Sequence, residues 1–408
     1  GRARQAGSDC IYDVFTRIAV PQDENRVFLD LANEQREVVE IDASGFQIRP
    51  SSEVPVKFLR PQGMLPLPRP LPVEDGSALL TLQEIAGLSD ELFVLLLAFL
   101  VGCANPARVY PLLLLQGGQG SGKSTLAHLT RTLIDPQSVS LSSEPSSELD
   151  LLIAASNRHL LVYDNLSGMR PQLSDALCRL STGGGLIKRK LYSDREEERF
   201  TTTCPVILNG IDDLGERNDL ADRSISLHLP SIPAAKRERK EIITRRFTEA
   251  HPAMLGALCL AWSAALRLRD EVSIDEPPRM ADFTYWVVAA EPALPIAPGA
   301  FLKAYRANIA SAAEASVEHD PVASFIVALM EGRRRWEGSM TDLLATLKAK
   351  HPTGELAKVN TRKLSSLLRR AEPALQRVGI SVYKDPHHMD PKNRRKIYVI
   401  TREADGDG

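Results

Sequence analysis

The residues best suited to chemistry lie in one glycine-rich run. Residues 117–124 read Gly-Gly-Gln-Gly-Ser-Gly-Lys-Ser and fit the pattern G-x-x-x-x-G-K-[ST], between an apolar run and a helical pattern. Glycines let consecutive backbone N–H groups wrap phosphate oxygens, a lysine neutralises them, and a serine hydroxyl can ligate Mg²⁺. The pattern predicts a loop that binds ATP with Mg²⁺, made by Gly117, Gly118, Gln119, Gly120, Ser121, Gly122, Lys123, Ser124 and Thr125.

An acid at the end of a later apolar run is the predicted partner of that loop. Asp164 directly follows the strand-like residues 160–163. A carboxylate at this place would reach the Mg²⁺ held by Ser124, so these two residues are the predicted metal ligands. The alternative is an aspartate that only caps a turn.

The residue that would activate the attacking water is harder to assign. Asn165 follows Asp164, where a second acid is common in ATPases. Glu144, just after a neighbouring strand-like run, is the predicted base, with Glu148 and Asp150 as rivals. A surface or capping role stays open for all three acids.

Two further polar residues flank apolar runs. Asn209 closes the run over residues 205–208, where a side chain can orient the water near the γ-phosphate; the alternative is a residue that shapes a turn. Arg223 precedes the run over residues 225–229. At a subunit edge it would stabilise the transition state on a neighbouring copy's ATP. Arg217 is the rival for this role, and an ordinary salt bridge is the alternative.

These residues need a sheet to bring them together. The expected strands cover residues 110–116, 139–141, 160–163 and 205–209. Helical patterns separate them, and strands that alternate with helices build an α/β fold, a parallel sheet with helices on both faces. We expect this core over residues 79–232, opened by helices at 80–86 and 90–101 and followed by a helical region over 233–316.

The two ends of the chain differ from this core. Residues 1–78 alternate short apolar runs with turn residues and end in a proline-rich stretch, which predicts a small β-rich module and a stiff linker. Residues 317–404 predict the element order of a winged helix. The expected helices cover 323–336, 341–350 and 361–370, and the strands cover 380–384 and 396–401.

Basic residues cluster in this last module. Leucines alternate with cations in its third helix, so one side should pack and the other should face outward to contact phosphates. The predicted DNA contacts are Arg362, Lys363, Arg369 and Arg370 in the helix, with Arg394 and Arg395 in the proposed wing. A winged helix used only for protein contacts is the alternative.

Composition narrows the class of protein. The 408 residues are 43% hydrophobic and 25% charged, which is typical of a folded globular chain. Five cysteines form no CxxC pair, which favours a reducing compartment over a disulfide framework. The most apolar run, residues 92–104, is shorter than the about 20 residues that cross a bilayer. We expect a cytoplasmic protein without a membrane partner; the absence of Met before Gly1 suggests a piece of a longer chain.

Charge is balanced overall but not along the chain. The 50 Lys and Arg residues nearly match the 52 Asp and Glu residues. From residue 318 onward basic residues outnumber acidic ones, whereas acids dominate before it. A basic end on an acidic body suggests a polyanionic partner.

Three segments together resemble a known family. They are residues 163–168 (Tyr-Asp-Asn-Leu-Ser-Gly), residues 180–194, which run from Leu-Ser-Thr-Gly-Gly-Gly to Ser-Asp, and residues 205–210 (Pro-Val-Ile-Leu-Asn-Gly). With residues 279–283, they are similar to the AAA+ motors of superfamily 3 helicases, above all those of phage, prophage and plasmid primase-helicases. The likeness covers roughly residues 80–315.

The resemblance implies roles for particular residues. After the glycines the family has a β-hairpin that grips single-stranded DNA in a ring channel, and Lys188, Arg189, Lys190 and Tyr192 match it. Asn209 matches sensor 1, Arg223 the arginine finger, and Arg279, weakly, sensor 2. Without the resemblance, these basic residues beside an acidic run would indicate only a solvated hairpin.

The resemblance also implies an activity and partners. We expect a Mg²⁺-dependent ATPase and DNA helicase that forms a ring, a hexamer, on single-stranded DNA, also binds duplex DNA, and serves the replication of a phage or mobile element. A primase is a further expected partner. The alternatives are an ATP-switched origin-binding initiator or loader without processive unwinding, and a remodeller of proteins.

Overall fold

The computed structural model describes residues 2–4, 11–21, 25–166, 169–183, 186–189, 197–200, 202–210, 220, 222–350, 358–389 and 396–402. The chain divides into two units, which are described one at a time. The first comprises Gly1–Leu214 and Asp222–Arg306, and the second comprises Gly215–Ala221 and Ala307–Gly408.

Short strands open the first unit. They are β1 (Arg2–Arg4), β2 (Ile11–Phe15), β3 (Ile18–Ala19), β4 (Val27–Asp30), β5 (Glu37–Asp42), β6 (Gly45–Pro50) and β7 (Lys57–Phe58). Strands β3, β4, β5 and β6 form an antiparallel sheet in that order, and β1, β2 and β7 form a second sheet. Residues 2–58 therefore contain short β-strands in the parts that the structure describes.

A buried ion pair ties these strands to the rest of the unit. The Arg17 Nε donates to the Asp135 Oδ1 at 3.1 Å, and neither side chain is exposed. The other Asp135 oxygen accepts from the backbone N–H groups of His159 and Leu160, both at 3.1 Å. Burial alone would raise the pKa of Asp135, but Arg17, His159 and the Leu160 N–H outweigh burial and lower it.

Asp135→Asn should destabilise the fold, because it removes the carboxylate charge that pairs with the buried Arg17 guanidinium. Breaking a buried pair in this way typically costs about 3–5 kcal/mol. Urea unfolding at neutral pH measures the loss, with exposed Glu34→Gln as the control. Because the folded-state pKa of Asp135 is lowered, its contribution is complete above the unfolded pKa of about 3.9 and is lost as pH falls through the folded value. The gap between variant and parent should therefore shrink in acid; equal unfolding midpoints at neutral pH would contradict the role of this pair.

The core of the unit is a parallel sheet of four strands. They are β8 (Leu112–Gln116), β9 (Leu161–Leu166), β12 (Val206–Gly210) and β13 (Ser224–His228), in the order β13-β8-β12-β9. Residues in β8, β12 and most of β9 and β13 are buried, as expected for strands covered on both sides. The predicted α/β fold with a parallel sheet is confirmed.

One expected strand is wrong. Residues 139–141 form no strand; next to them, Ser142 makes a single parallel bridge with Tyr163. The Val139 side chain is 57% exposed, so this run has no apolar face to bury. It lies along the outer side of β9 as an irregular edge.

Helices flank this sheet in the sequence. They are α1 (Leu80–Ala86), α2 (Asp90–Gly102), α3 (Lys123–Ile134), α4 (Glu148–Asn157), α5 (Pro171–Thr182), α6 (Lys240–Leu268), α7 (Ala281–Ala290) and α8 (Ala300–His319). The predicted helices at 80–86 and 90–101 are present, and α2 is buried from Phe93 to Gly102. Within the described residues, no helix is long and apolar enough to cross a membrane.

Besides the end of α8, the described part of the second unit contains three helices and a three-stranded antiparallel sheet. They are α9 (Pro321–Met330), β14 (Arg335–Ser339), α10 (Met340–Lys350), α11 (Thr361–Arg377), β15 (Ile380–Met389) and β16 (Lys396–Arg402). The sheet order is β14-β16-β15. The core packs Phe325 and Ile326 of α9 against Leu364, Leu368 and Leu375 of α11.

The first helix of this unit is shorter than predicted. A helix over 323–336 was expected, but α9 ends at Met330 and residues 335–339 form β14. Gly332 has a left-handed φ of 70°, which stops the helix, and the following residues alternate between exposed and more buried positions. The apolar Trp336 belongs to a strand, not to the helix.

Candidate active site

The glycine-rich loop joins β8 to α3. Gly117, Gly120 and Gly122 have φ values of 137°, 78° and 84°, which glycine adopts without strain. Gly122 is the N-cap of α3, and no side chain caps the helix. The first N–H groups of α3 therefore face the loop, an arrangement that favours anions.

The chain after β13 holds this loop in place. The Leu229 N–H donates to the Gln116 carbonyl at 2.8 Å, and the Ile232 N–H donates to the Gly120 carbonyl at 3.3 Å. A Cβ at Gly117 would lie 2.3 Å from the Leu229 carbonyl oxygen, so only glycine fits there. The loop shape is thus fixed by backbone contacts from a second element.

The Lys123 ammonium points back into the loop. Its Nζ donates to the carbonyl oxygens of Gly117 at 2.7 Å and Gly118 at 2.9 Å, and lies 3.5 Å from the Ser121 Oγ. The residue is 9% exposed. A nearly buried positive charge therefore lies where the sequence predicts phosphate.

Three predicted residues meet beside the loop. The Ser124 Oγ donates to the Asp164 Oδ1 at 3.0 Å, and the Asn209 Nδ2 lies 3.1 Å from the Ser124 Oγ and also contacts the Asp164 Oδ1. The sheet topology brings these three side chains together, because β12 lies between β8 and β9 and the carboxyl ends of all three parallel strands lie at the same end of the sheet. A hydroxyl and a carboxylate are oxygen donors of the kind Mg²⁺ prefers, so this pair fits the metal that the sequence predicts.

The backbone explains the asparagine after Asp164. The register between β9 and β12 shifts between Leu208 and Gly210, which marks a bulge, and Asn165 has a φ of 59°. Asparagine tolerates this left-handed conformation better than most residues. Asn165 is exposed. An asparagine at this position therefore suits the left-handed backbone that follows Asp164.

The three candidate bases each have local partners. Glu144 pairs with the Arg170 Nε at 3.2 Å, and Glu148 pairs with Arg179. Asp150 accepts from the hydroxyls of Ser146 and Ser147, and the Asp150 N–H donates back to the Ser147 Oγ at 3.2 Å.

Position along the chain separates these three acids. Asp150 belongs to the cap that starts α4, and Glu148 lies in the first turn of that helix. Glu144 lies two residues beyond Ser142, whose carbonyl accepts from the Asp164 N–H at 2.9 Å. Glu144 is therefore the acid closest along the chain to the residue that hydrogen-bonds to Asp164.

Arg223 lies at the end of the sheet where the strands begin, opposite the end that carries the glycine-rich loop. It precedes β13, whose register pairs Ser224 with Leu112 and His228 with Gln116. The glycine loop lies past Gln116, so the two are separated by the length of a strand, roughly 16 Å at the usual rise per residue. Within one chain, Arg223 is not brought together with Lys123.

Arg279 does not approach the loop in the way the sequence suggests. Its Nη1 pairs with the Asp222 Oδ2 at 2.8 Å, beside Arg223. The weak assignment of Arg279 to the nucleotide site therefore gains no geometric support.

Another arginine lies over the loop and was not predicted. The Arg237 Nη2 lies 3.3 Å from where a Cβ would stand on Gly120, and its Nε donates to the Ile232 carbonyl at 3.2 Å. No carboxylate pairs with it among the residues that the structure describes. The only sequence signal was a basic run at 236–240 after an apolar strand, which fits no motif.

The hairpin region is described by its backbone alone. Strands β10 (Leu186–Arg189) and β11 (Glu197–Phe200) pair antiparallel, with Lys188 opposite Glu198 and Arg189 opposite Glu197. The hairpin that the resemblance implied is thus present. Lys190 and Tyr192, which follow β10 in the sequence, lie outside the described residues.

The second unit carries its basic residues on one side of α11. Leu364 and Leu368 are buried, whereas the four predicted contacts in this helix are exposed: Arg362, Lys363, Arg369 and Arg370. The predicted division of α11 into a packing side and a basic side is confirmed. Arg394 and Arg395 lie outside the described residues.

The first unit is an α/β fold with a glycine-rich loop between a parallel strand and a helix, and comparison with known families extends this description. The model of the actinomycete integrative conjugative element replication protein family matches residues 77–314, and that of the AICE RepA C-terminal domain matches residues 322–406. The chain belongs to this family and is a replication protein of a mobile element.

Other comparisons are weaker. Among curated proteins, none matches the chain. The apo structure of the NrS-1 C-terminal region is 12% identical with a TM-score of 0.36, over 91% of this chain and 95% of that one. The X-ray structure of JCV helicase is 14% identical with a TM-score of 0.27, over 58% of this chain and 64% of that one.

Proposed function

We propose that this protein is a Mg²⁺-ATP-driven, ring-forming DNA helicase or translocase of the AAA+ superfamily 3 type. It acts in the replication of its integrative conjugative element, in the cytoplasm, alone or with a primase. The observation that carries the proposal is the meeting of Ser124, Asp164 and Asn209 beside the loop that holds Lys123. Phosphoryl transfer from ATP needs these parts in one place: a cation, two oxygen ligands and a polar side chain.

Each residue has a distinct task at this site. The Lys123 ammonium and the first N–H groups of α3 bind phosphate oxygens. Ser124 and Asp164 would hold Mg²⁺, which neutralises phosphate charge when bound. The Asn209 amide orients the attacking water, and Arg237 adds a second cation from the same subunit. Positioning and electrostatics do most of the chemistry in such reactions.

A second copy of the chain completes the site. Arg223 lies a strand length away from its own loop, so it acts as an arginine finger on the ATP of a neighbour. Such a head-to-tail arrangement closes into a ring when the rotation between neighbouring subunits divides a full turn. The ring we propose is a hexamer.

Glu144→Gln should slow ATP turnover while ATP binding is retained, because we propose that Glu144 accepts the proton of the attacking water. The expected loss is roughly 10²- to 10⁴-fold, as for other positioned acid–base groups. Steady-state ATPase and equilibrium nucleotide binding are measured on the same preparations. Glu148→Gln is the matched control, because its carboxylate pairs with Arg179 at the start of α4.

Loss of turnover in both variants to the same degree would point to a shared structural effect. Near-normal turnover in Glu144→Gln alone would remove Glu144 from the mechanism.

DNA contacts are proposed on two surfaces, one in each unit. Lys188, Arg189, Lys190 and Tyr192 grip a single strand inside the ring. The second unit acts as a winged helix, and its element order, α9-β14-α10-α11-β15-β16, supports this assignment. There Arg362, Lys363, Arg369, Arg370, Arg394 and Arg395 contact phosphates of duplex DNA.

An alternative function is an ATP-switched initiator or loader that assembles on an origin and does not unwind processively. The exposed basic side of α11 favours it, because this surface is suited to duplex DNA without any motor. Electron microscopy with single-stranded DNA and a non-hydrolysable ATP analogue tests the main proposal. We expect a closed ring with the strand in its channel; an open filament on duplex DNA would favour the initiator.

A further inference from the structure

Arg170 contacts three consecutive residues of the segment that carries the proposed base. Its Nε donates to the Glu144 Oε1 at 3.2 Å, its Nη1 to the Ser146 carbonyl at 3.0 Å, and its Nη2 to the Pro145 carbonyl at 2.6 Å. All three guanidinium nitrogens are therefore used on one short stretch of chain. An ion pair with Glu144 alone would use only one or two of them.

A contribution to folding does not account for this arrangement. The Arg170 side chain is 52% exposed, and that of Glu144 is 35% exposed. Ion pairs this open to solvent contribute little to stability. The two carbonyl contacts instead fix where the backbone of the segment lies, and thus where the Glu144 side chain begins.

Arg170 is itself held by the start of α5. Its carbonyl accepts from the N–H groups of Leu173 and Ser174, both at 3.0 Å. At the other end of α5, the Tyr110 N–H donates to the Ser181 carbonyl at 2.9 Å, and the Ser181 Oγ donates back to the Tyr110 carbonyl at 2.5 Å. The guanidinium thus extends from a helix that is anchored at both ends, and support of this kind keeps a functional group in place.

The segment with Glu144 is also tied to the strand that carries the proposed metal ligand. The Ser142 N–H donates to the Val162 carbonyl at 3.0 Å, and the Ser142 carbonyl accepts from the Asp164 N–H at 2.9 Å. Glu144 follows Ser142 by two residues, and Arg170 follows Asp164 by six residues on the chain that leaves this strand. The proposed base and the arginine that contacts it therefore both connect to the strand of Asp164.

We propose that Arg170 is a positioning residue for ATP hydrolysis, which holds the Glu144 carboxylate where it accepts the proton of the attacking water. In that step the water oxygen bonds to the γ-phosphorus, the bond to the ADP oxygen breaks, and the proton passes to Glu144. The inference rests on the proposed function of this site and adds the residue that places its base. Because Arg170 acts through Glu144, its loss should leave ATP binding intact and slow the step that follows binding.

Steady-state ATPase of the full chain over a range of ATP concentrations tests the proposal. Arg170→Ala should lower kcat by about 100-fold, as for a small misplacement of a reacting group, while KM for ATP and the urea unfolding midpoint stay near the parental values. Arg170→Lys should recover part of the loss, because an ammonium keeps the charge beside Glu144 but cannot contact both carbonyls as well. Arg179→Ala is the matched control, because it removes the ion pair with Glu148 from the same helix and should leave kcat unchanged.

A double variant separates positioning of the base from other effects on hydrolysis. In Glu144→Gln no base is left to position, so the further change Arg170→Ala should lower kcat no more. A positioning residue and the group that it positions behave as one unit in this comparison. If the two losses multiply instead, Arg170 acts on hydrolysis without Glu144, and the proposal is wrong.

The outcomes also distinguish this inference from the proposal on which it rests. An inactive parent would contradict the ATPase itself, and a normal rate in Glu144→Gln would remove the base and with it the role of Arg170. Slow turnover in Glu144→Gln with a normal kcat in Arg170→Ala would overturn the role of Arg170 alone. An equal loss in Arg179→Ala would show that Arg170 only supports α5, which also contradicts the inference.

Discussion

Lys123→Ala should abolish ATP hydrolysis without unfolding the protein. The Lys123 Nζ hydrogen-bonds to loop carbonyl oxygens, so its loss removes charge from the loop rather than an apolar contact. Removing one group that stabilises transition-state charge typically lowers turnover by about 10²- to 10³-fold. Steady-state ATPase measures the effect, and urea unfolding shows whether the fold is kept.

Lys303→Ala is the matched control, because Lys303 is an exposed lysine of the same unit. It should hydrolyse ATP at the parental rate. Normal turnover in Lys123→Ala would show that the glycine-rich loop is not the site of hydrolysis.

Arg223→Ala should also be inactive alone, and it should regain activity when it is mixed with Lys123→Ala. Arginine fingers contribute about 10³- to 10⁵-fold to turnover. In a mixed ring, an intact Lys123 from one subunit meets an intact Arg223 from its neighbour. ATPase measured over a range of mixing ratios should therefore rise above that of either variant.

A second mixture controls for effects of ring assembly. Lys123→Ala with Asp164→Asn should give no rescue, because both residues act in the same subunit and every site keeps one defect. If the Arg223 mixture is as inactive as this control, Arg223 does not act between subunits.

The features predicted from the sequence are those with a local cause. The strand before the glycine loop, the helix after it, and Asp164 at the end of β9 each follow from apolar patterns and backbone chemistry. The meeting of Ser124 with Asp164 could be expected because parallel strands end at one edge. The same argument places Asn209 at this end of the sheet, because it closes β12.

Other features depend on contacts that no local pattern reveals. Arg237 lies over Gly120 because the chain after β13 crosses the glycine-rich loop. Arg279 pairs with Asp222 instead of extending toward that loop. Trp336 continued an apolar helical pattern, but Gly332 ends α9 before it and cross-strand pairing decides its structure. Asn165 looked like a missing acid, whereas a bulge in β9 accounts for it.

Strand displacement on a forked DNA substrate tests the central claim most directly. The account predicts that the protein separates the strands with ATP and Mg²⁺ but not with a non-hydrolysable analogue. It also predicts that a variant with Lys188, Arg189 and Lys190 changed to glutamine loses unwinding and single-strand-stimulated ATPase while it still binds duplex DNA through the second unit. Unwinding by this variant at the parental rate would contradict the hairpin mechanism. Absence of ATP-dependent unwinding by the parent, with duplex binding intact, would contradict the motor itself and favour the initiator.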